Sequence, residues 1–165
     1  MNRLSAGRWL LLLLLLWLSS VANAQSCTVS STSVAFGVYD PIGSSAPLDG
    51  SGQITVDCFP NNVIFTAGLS TGGSGSYAVR RMASGANTLP YNLYLNAART
   101  TVFGDGSGGT QTATCITGIT AYGCVGSNPG GQGRRATLPF YGRIPAGQDV
   151  AAGLYSDTVQ VIIVF

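Results

Sequence analysis

The chain reads as an all-β sandwich. Short runs of alternating apolar and polar residues recur along it, as half-buried strands require. Gly, Pro, Asn and Asp clusters separate those runs at short intervals. Beyond residue 24 no stretch repeats its apolar residues with the 3.6 period of a helix. Many short strands with frequent turns and no helices point to two packed sheets.

Residues 1–24 read as an export signal. Arg3 and Arg8 give a basic start, Trp9 to Leu18 an apolar run, and Ala22-Asn23-Ala24 a small-residue cleavage site. The apolar run is short for a membrane span, and no second one follows, so the mature chain is expected to carry none. Removing 24 of the 165 residues leaves 141, enough for one domain over residues 25–165 with its own core.

The strands follow in order. Cys27 to Tyr39 is rich in β-branched and small residues and reads as one or two strands, bent at Gly37. Asp40-Pro41 through Leu48-Asp49-Gly50 carries turn chemistry and reads as a loop. Gln53 to Cys58 alternates cleanly, with Ile54, Val56 and Cys58 on one face; Val63 to Leu69 is the next strand. Thr71 to Ser76 reads as a flexible loop and Val79 to Met82 as a short strand. Leu89 to Leu95 is a strand with Leu89, Tyr91, Leu93 and Leu95 on one face. Pro90 is compatible with its beginning or with an edge. Thr101 to Phe103 is a short strand, Gly104 to Gly109 a turn, and Arg134 to Arg143 a further strand.

The last eleven residues, Tyr155 to Phe165, form the strongest strand pattern. Tyr155, Asp157, Val159, Val161, Ile163 and Phe165 point one way, and that face is apolar from Val159 onward. Ser156, Thr158, Gln160, Ile162 and Val164 point the other way. An apolar strand is seldom left as an open edge, because its unpaired N–H and C=O groups template another chain. The residues after it supply no partner, so the expectation is a partner from elsewhere.

Charge and cysteine usage narrow the function. The net charge of +2 is the contribution of Arg3 and Arg8; without them six Arg face six Asp. A neutral chain poor in charge gives no support for nucleic acid or an anionic membrane as partner. Cys27, Cys58, Cys115 and Cys124 all lie after the signal, which implies two disulfides in an oxidising compartment. Four cysteines allow three pairings, and the sequence does not choose among them; we favour Cys27–Cys58 with Cys115–Cys124. The first would close a loop of about 32 residues, worth roughly 3–4 kcal/mol.

Catalytic chemistry finds little to stand on, and no catalytic residue, metal ligand or cofactor is assigned. The chain has no His, so triad-type hydrolysis lacks its imidazole base. The cysteine spacing fits no zinc motif. A glycosidase-like pair among the six Asp remains open, but no pair stands out. Gly104-Asp-Gly-Ser-Gly-Gly109 superficially resembles a serine-protease stretch; without His it reads as a turn, and its one Asp is too few for a calcium loop. Arg80-Arg81 and Arg134-Arg135 read as solubilising pairs that meet Asp. The seven Tyr offer either a sugar-binding surface or half-buried packing, of which packing is the commoner use.

A family resemblance rests on motifs spread over nearly the whole mature chain. They are Cys27-Thr-Val, Phe36-Gly-Val-Tyr-Asp-Pro41, Gly52-Gln-Ile-Thr-Val-Asp-Cys58, Leu89-Pro-Tyr-Asn-Leu-Tyr94, Phe103-Gly-Asp-Gly106, Tyr141-Gly-Arg-Ile-Pro-Ala-Gly-Gln148 and Gly153-Leu-Tyr-Ser-Asp-Thr-Val159. In that order they resemble the spore coat protein U domain family, which includes subunits of archaic chaperone–usher pili. Gln111 to Arg134, with its extra cysteine pair, fits the pattern less well.

The resemblance implies an incomplete immunoglobulin-like β-sandwich that lacks its final strand and is completed by a donor strand. It implies a periplasmic assembly chaperone, an outer-membrane usher and other pilus subunits as partners. It also implies export to the periplasm and then the cell surface, and it makes Cys27–Cys58 the expected disulfide. The edge expected to take a donor strand or chaperone comprises Thr158, Val159, Val161, Ile162, Ile163, Val164 and Phe165. One departure bears on position in a fibre. A donating subunit needs an extension of roughly ten or more residues at about 3.3 Å each, yet only Gln25 and Ser26 separate the cleavage site from Cys27. The expectation is a subunit that accepts a strand and gives none, at a tip or terminus. The alternatives are a self-complete secreted binding module, a coat or matrix protein, and a secreted hydrolase using Asp.

Overall fold

A computed structural model describes residues 25–43, 45–59, 62–130 and 133–165. The expected export signal, residues 1–24, lies outside them. Among the described residues nine strands are present: β1 Ser26–Thr32, β2 Leu48–Phe59, β3 Ile64–Leu69, β4 Arg80–Ser84, β5 Asn87–Tyr94, β6 Ala113–Ile116, β7 Val125–Ser127, β8 Arg134–Ile144 and β9 Val161–Val164. They form two sheets. The larger runs β1-β2-β8-β5-β4 with β7 beside β8, and the smaller runs β6-β3-β9. All paired strands are antiparallel.

Alternation explains the layering. Ile54, Val56 and Cys58 of β2 turn inward as expected, as do Ala136, Leu138, Phe140 and Ile144 of β8 and Leu89, Tyr91 and Leu93 of β5. Facing them are Phe65, Ala67 and Leu69 of β3 and Ala113 and Cys115 of β6. The disulfides join Cys27 to Cys58 across the β1–β2 ladder and Cys115 to Cys124 around a short loop.

Three expectations are corrected. Leu48 to Gly50 is no loop but the start of β2, which pairs along the whole of β8. Gly50 and Gly52 are there for space, not for a turn. A Cβ on Gly50 would lie 2.6 Å from Val34 Cγ1, and one on Gly52 2.6 Å from Phe140 Cζ. Second, the final segment forms a ladder only over Val161–Val164; Tyr155 to Gln160 runs up to it with a single bridge, Ser156 to Ala83. Third, Arg80 is no solubilising residue. It is fully buried, donating from Nε and Nη2 to Ser70 O, from Nη2 to Phe103 O at 2.7 Å and from Nη1 to Asn92 Oδ1 at 2.7 Å. Its position on β4 opposite Tyr91 turns it inward, while Arg81 stays exposed. Burial lowers the Arg80 pKa.

Arg135 and Arg143 are partly exposed and ion-paired. Arg135 makes a paired contact with Asp57, as expected of it, and Arg143 does the same with Asp49 at 2.7 and 2.9 Å, with Arg99 3.2 Å from the same carboxylate. The hydrogen bond from Arg143 leads in holding Asp49 below its ordinary pKa.

Candidate functional site: an open cleft between two chain segments

The site begins where β1 ends. After Thr32 the chain leaves the β1–β2 ladder and crosses over the inner face of the larger sheet. Val34 and Phe36 settle on Gly50 and Gly142, which are cross-strand partners, so two missing side chains make one shallow seat. Phe36 also meets Tyr91 edge-on, ring centroids 6.0 Å apart. Gly37, at φ 80, turns the chain as the expected bend requires. Tyr39 then ties it down: its hydroxyl donates to Pro145 O and accepts from Gln148 N–H. Between these anchors, Ser33 to Val38 makes no backbone hydrogen bond among the described residues.

The opposite wall is the final segment. Ser156 exchanges backbone bonds with Ala83, Gln160 O accepts from Ser70 N–H, and Val161 to Val164 pair with Leu69 to Thr66. Even-numbered residues therefore turn their backbone groups toward the body of the protein. Alternation turns those of Asp157, Val159, Val161 and Ile163 toward the open side. The side chains of these odd-numbered residues are half-buried and the even-numbered ones exposed.

A cleft runs between the two walls. One part, ≈ 560 Å³, lies over Leu69, Met82, Tyr91 and Phe140. The other, ≈ 600 Å³, lies over Met82, Leu89 and Ile144. They share Val34, Phe36 and Tyr155, so they form one channel. At its far mouth Val38 and Leu154 are 90% and 94% exposed. The cleft thus has a floor of core side chains between two walls that each carry unpaired backbone groups.

One polar node interrupts the floor. Tyr91 donates its hydroxyl to Asp157 Oδ2 at 2.7 Å, and Gly73 N–H donates to Asp157 Oδ1 at 2.8 Å. The glycine belongs to a 3-10 turn, Gly72–Ser74, so the loop expected to be flexible is pinned to the final segment. Burial, then the bond to Asp157, pushes the Tyr91 pKa up strongly.

The seven edge residues named from the sequence divide. Thr158, Val159 and Val161 line the cleft. Ile163 packs half-buried against the core. Ile162 and Val164 lie on the outer face, and Phe165 is exposed with its ring 6.2 Å from Phe65. Sequence reasoning missed the second wall. Nothing local links Val34 and Phe36 to Gly50 and Gly142, because the contact joins the run after β1 to two separate strands, β2 and β8.

Among the described residues no helix is long and apolar enough to cross a membrane, and no three His, Cys, Asp or Glu side chains gather as a metal site. Comparison with known proteins then decides the family. The profile of the Spore Coat Protein U domain matches residues 14–162. The chain belongs to the spore coat protein U domain family. Protein U of Myxococcus xanthus is 30% identical over 141 residues, 79% of this chain and 70% of that protein. A solved chaperone–tip adhesion subunit pre-assembly complex, CsuC–CsuE from the archaic Csu pili of Acinetobacter baumannii, shares the fold. Its TM-score is 0.55 at 20% identity, over 86% of this chain but only 40% of that one. The Escherichia coli Hda pilus minor tip subunit HdaB aligns at a TM-score of 0.32 and 13% identity, over 84% of this chain and 79% of that one. The family member described here is an all-β sandwich of two sheets with an immunoglobulin-like fold.

Proposed function

We propose that the chain is a non-catalytic structural or adhesive subunit of a surface pilus, completed by a strand supplied from another protein. The observation that carries this reading is the cleft whose two walls, Ser33 to Val38 and Asp157 to Ile163, both leave backbone groups unpaired. A strand laid between them would pair with both and place alternate side chains on Leu69, Met82, Tyr91 and Phe140. Four apolar side chains at roughly 1.5–3 kcal/mol each would contribute on the order of 10 kcal/mol. That is comparable to the roughly 5–15 kcal/mol stability of a whole domain. The subunit is therefore poorly stable until its cleft is filled.

The family and the fold shared with a chaperone-bound pilus subunit support the order of events. Residues 1–24 direct export and are removed, leaving the domain of residues 25–165. A periplasmic chaperone fills the cleft, and another subunit replaces it at an outer-membrane usher. With cleavage after Ala24, Ser26 enters the β1 ladder at once and Cys27 is tied to Cys58. Only Gln25 would then precede the β1 ladder, which suits a tip or terminating position. A donor extension fused ahead of Ser26 should restore chain growth; failure of that fusion would remove the positional part of the reading.

Hydrogen exchange tests the groove itself. Supplying an apolar strand peptide should protect the amides of Val159, Val161 and Ile163 together with amides in Ser33 to Val38. Protection of one wall without the other would rule out insertion between them.

A further inference from the structure

We infer that Asp157 sets the register of the strand that fills the cleft, by selecting a small hydroxyl-bearing side chain opposite itself and rejecting an apolar one. This rests on the groove reading above and adds to it a chemical requirement on the occupant.

A one-residue slip turns every apolar side chain of the inserted strand outward, and is strongly resisted. A two-residue slip keeps the faces right. Only differences between successive seats in the groove resist it. Leu69, Met82, Phe140, Val159 and Val161 are all apolar and offer little to distinguish one seat from the next.

Asp157 is the exception. Its side chain is half-buried, lines the cleft and is held in place from behind by Gly73 N–H and the Tyr91 hydroxyl. A carboxylate offers about four acceptor positions, and these two donors use one on each oxygen. The residue that carries the remaining capacity lines a cleft whose near wall, Ser31 to Ser33, is also hydroxyl-bearing. Before the strand arrives, water can satisfy that capacity. Once it arrives, an apolar side chain over Asp157 would strip the water and replace it with nothing, whereas a Ser or Thr hydroxyl would donate to it. A single buried polar residue fixes register in coiled coils by the same logic, at some expense in affinity. Neither Tyr91 nor Gly73 can move away to relieve the mismatch, because Tyr91 sits in β5 and Gly73 in the pinned 3-10 turn.

The experiment uses the full chain, exported, oxidised and kept soluble by an assembly chaperone, with labelled nine-residue peptides that replace the chaperone in the cleft. Their inward positions are Val and their outward positions Thr, and a single Ser is walked through the inward positions. Fluorescence anisotropy gives the affinity of each. One placement of Ser should bind about ten-fold or more tighter than the others. Asp157→Val should shift the optimum to the all-Val peptide, and Asp157→Asn, which keeps one acceptor oxygen for Tyr91 but sets its amide NH2 against Gly73 N–H, should weaken the preference without moving the favoured placement. If Asp157→Val does not fold, the wild-type walk and Asp157→Asn still decide. Affinities within about two-fold for every placement, with the peptides bound, would overturn the register role and leave the groove reading intact. An optimum unchanged in Asp157→Val would do the same. Failure of every peptide to bind would remove the groove reading itself, and the role of Asp157 with it.

Discussion

Gly142→Ala probes the wall that sequence reasoning missed. A Cβ at Gly142 would stand 2.6 Å from Phe36 Cζ, 2.9 Å from Phe36 Cε1 and 2.9 Å from Val34 Cγ1. Those separations are well inside van der Waals contact, so Phe36 or the chain carrying it must move. Overpacking of this kind costs about 1–3 kcal/mol. Phe36→Ala alone removes a half-buried ring and its edge contact with Tyr91, about 2 kcal/mol, less than a fully buried Phe. The two changes share one space and should not add. With the ring gone, the methyl that Gly142→Ala introduces loses two of its three close approaches and keeps only the one to Val34 Cγ1, so the double variant should lie much nearer to Phe36→Ala than the sum of the two changes. The coupling should be about 1–3 kcal/mol, above the roughly 0.5 kcal/mol within which independent sites add. The assay is urea unfolding of the chain completed by a strand appended after Phe165, so that every variant starts from a filled cleft. Strictly additive effects would mean that Phe36 does not sit on Gly142 and that the Ser33 to Val38 wall is misplaced.

Other expectations can be checked on the same background. Arg80→Met leaves Ser70 O and Phe103 O without their buried donor and takes one of two from Asn92 Oδ1, and should cost about 3–5 kcal/mol, whereas exposed Arg81→Met should stay within about 0.5 kcal/mol. Equal effects in unfolding experiments would contradict the burial of Arg80. Asp49 has a folded pKa below 3.8, so its contribution is fully present above that value and drains as pH falls through the lower folded value. Asp49→Asn should therefore lose less stability than wild type on acidification below about pH 4, by a small amount because the pair is partly exposed. Parallel acid-stability curves would remove that contribution. Replacing Cys27 and Cys58 by Ser should destabilise by about 3.5 kcal/mol and replacing Cys115 and Cys124 by about 2.5 kcal/mol, following their separations of 31 and 9 residues. The reverse order in melting experiments would put the short loop, not the β1–β2 tie, at the centre of stability.

What is legible in the sequence is what alternation encodes. The inward faces of Gln53 to Cys58, Val63 to Leu69, Leu89 to Leu95 and Arg134 to Arg143 all follow from a period of two. Both walls of the cleft are harder. Tyr155 to Phe165 shows itself as an apolar strand, but its first half holds no ladder, because Tyr155 to Gln160 faces the gap. The run from Ser33 to Val38 carries strand residues without a strand's partners, and only the seat formed by Gly50 and Gly142 explains its course. Gly50 resembles punctuation because a glycine that makes room and one that makes a turn are the same letter. Arg80 misleads for a similar reason. A basic pair signals solvent unless the tertiary fold brings three oxygen acceptors to one of its members. Asp157 does leave a trace, as the one acidic residue on an otherwise apolar strand face.

The most direct test of the open cleft is a thermal melt with size analysis of the exported, oxidised chain, alone and co-expressed with an assembly chaperone. The account predicts aggregation or proteolysis of the chain alone and a single cooperative transition once the cleft is filled. A lone chain that stays monomeric, melts cooperatively and gains nothing from the chaperone would contradict it, and the self-complete binding module would take its place.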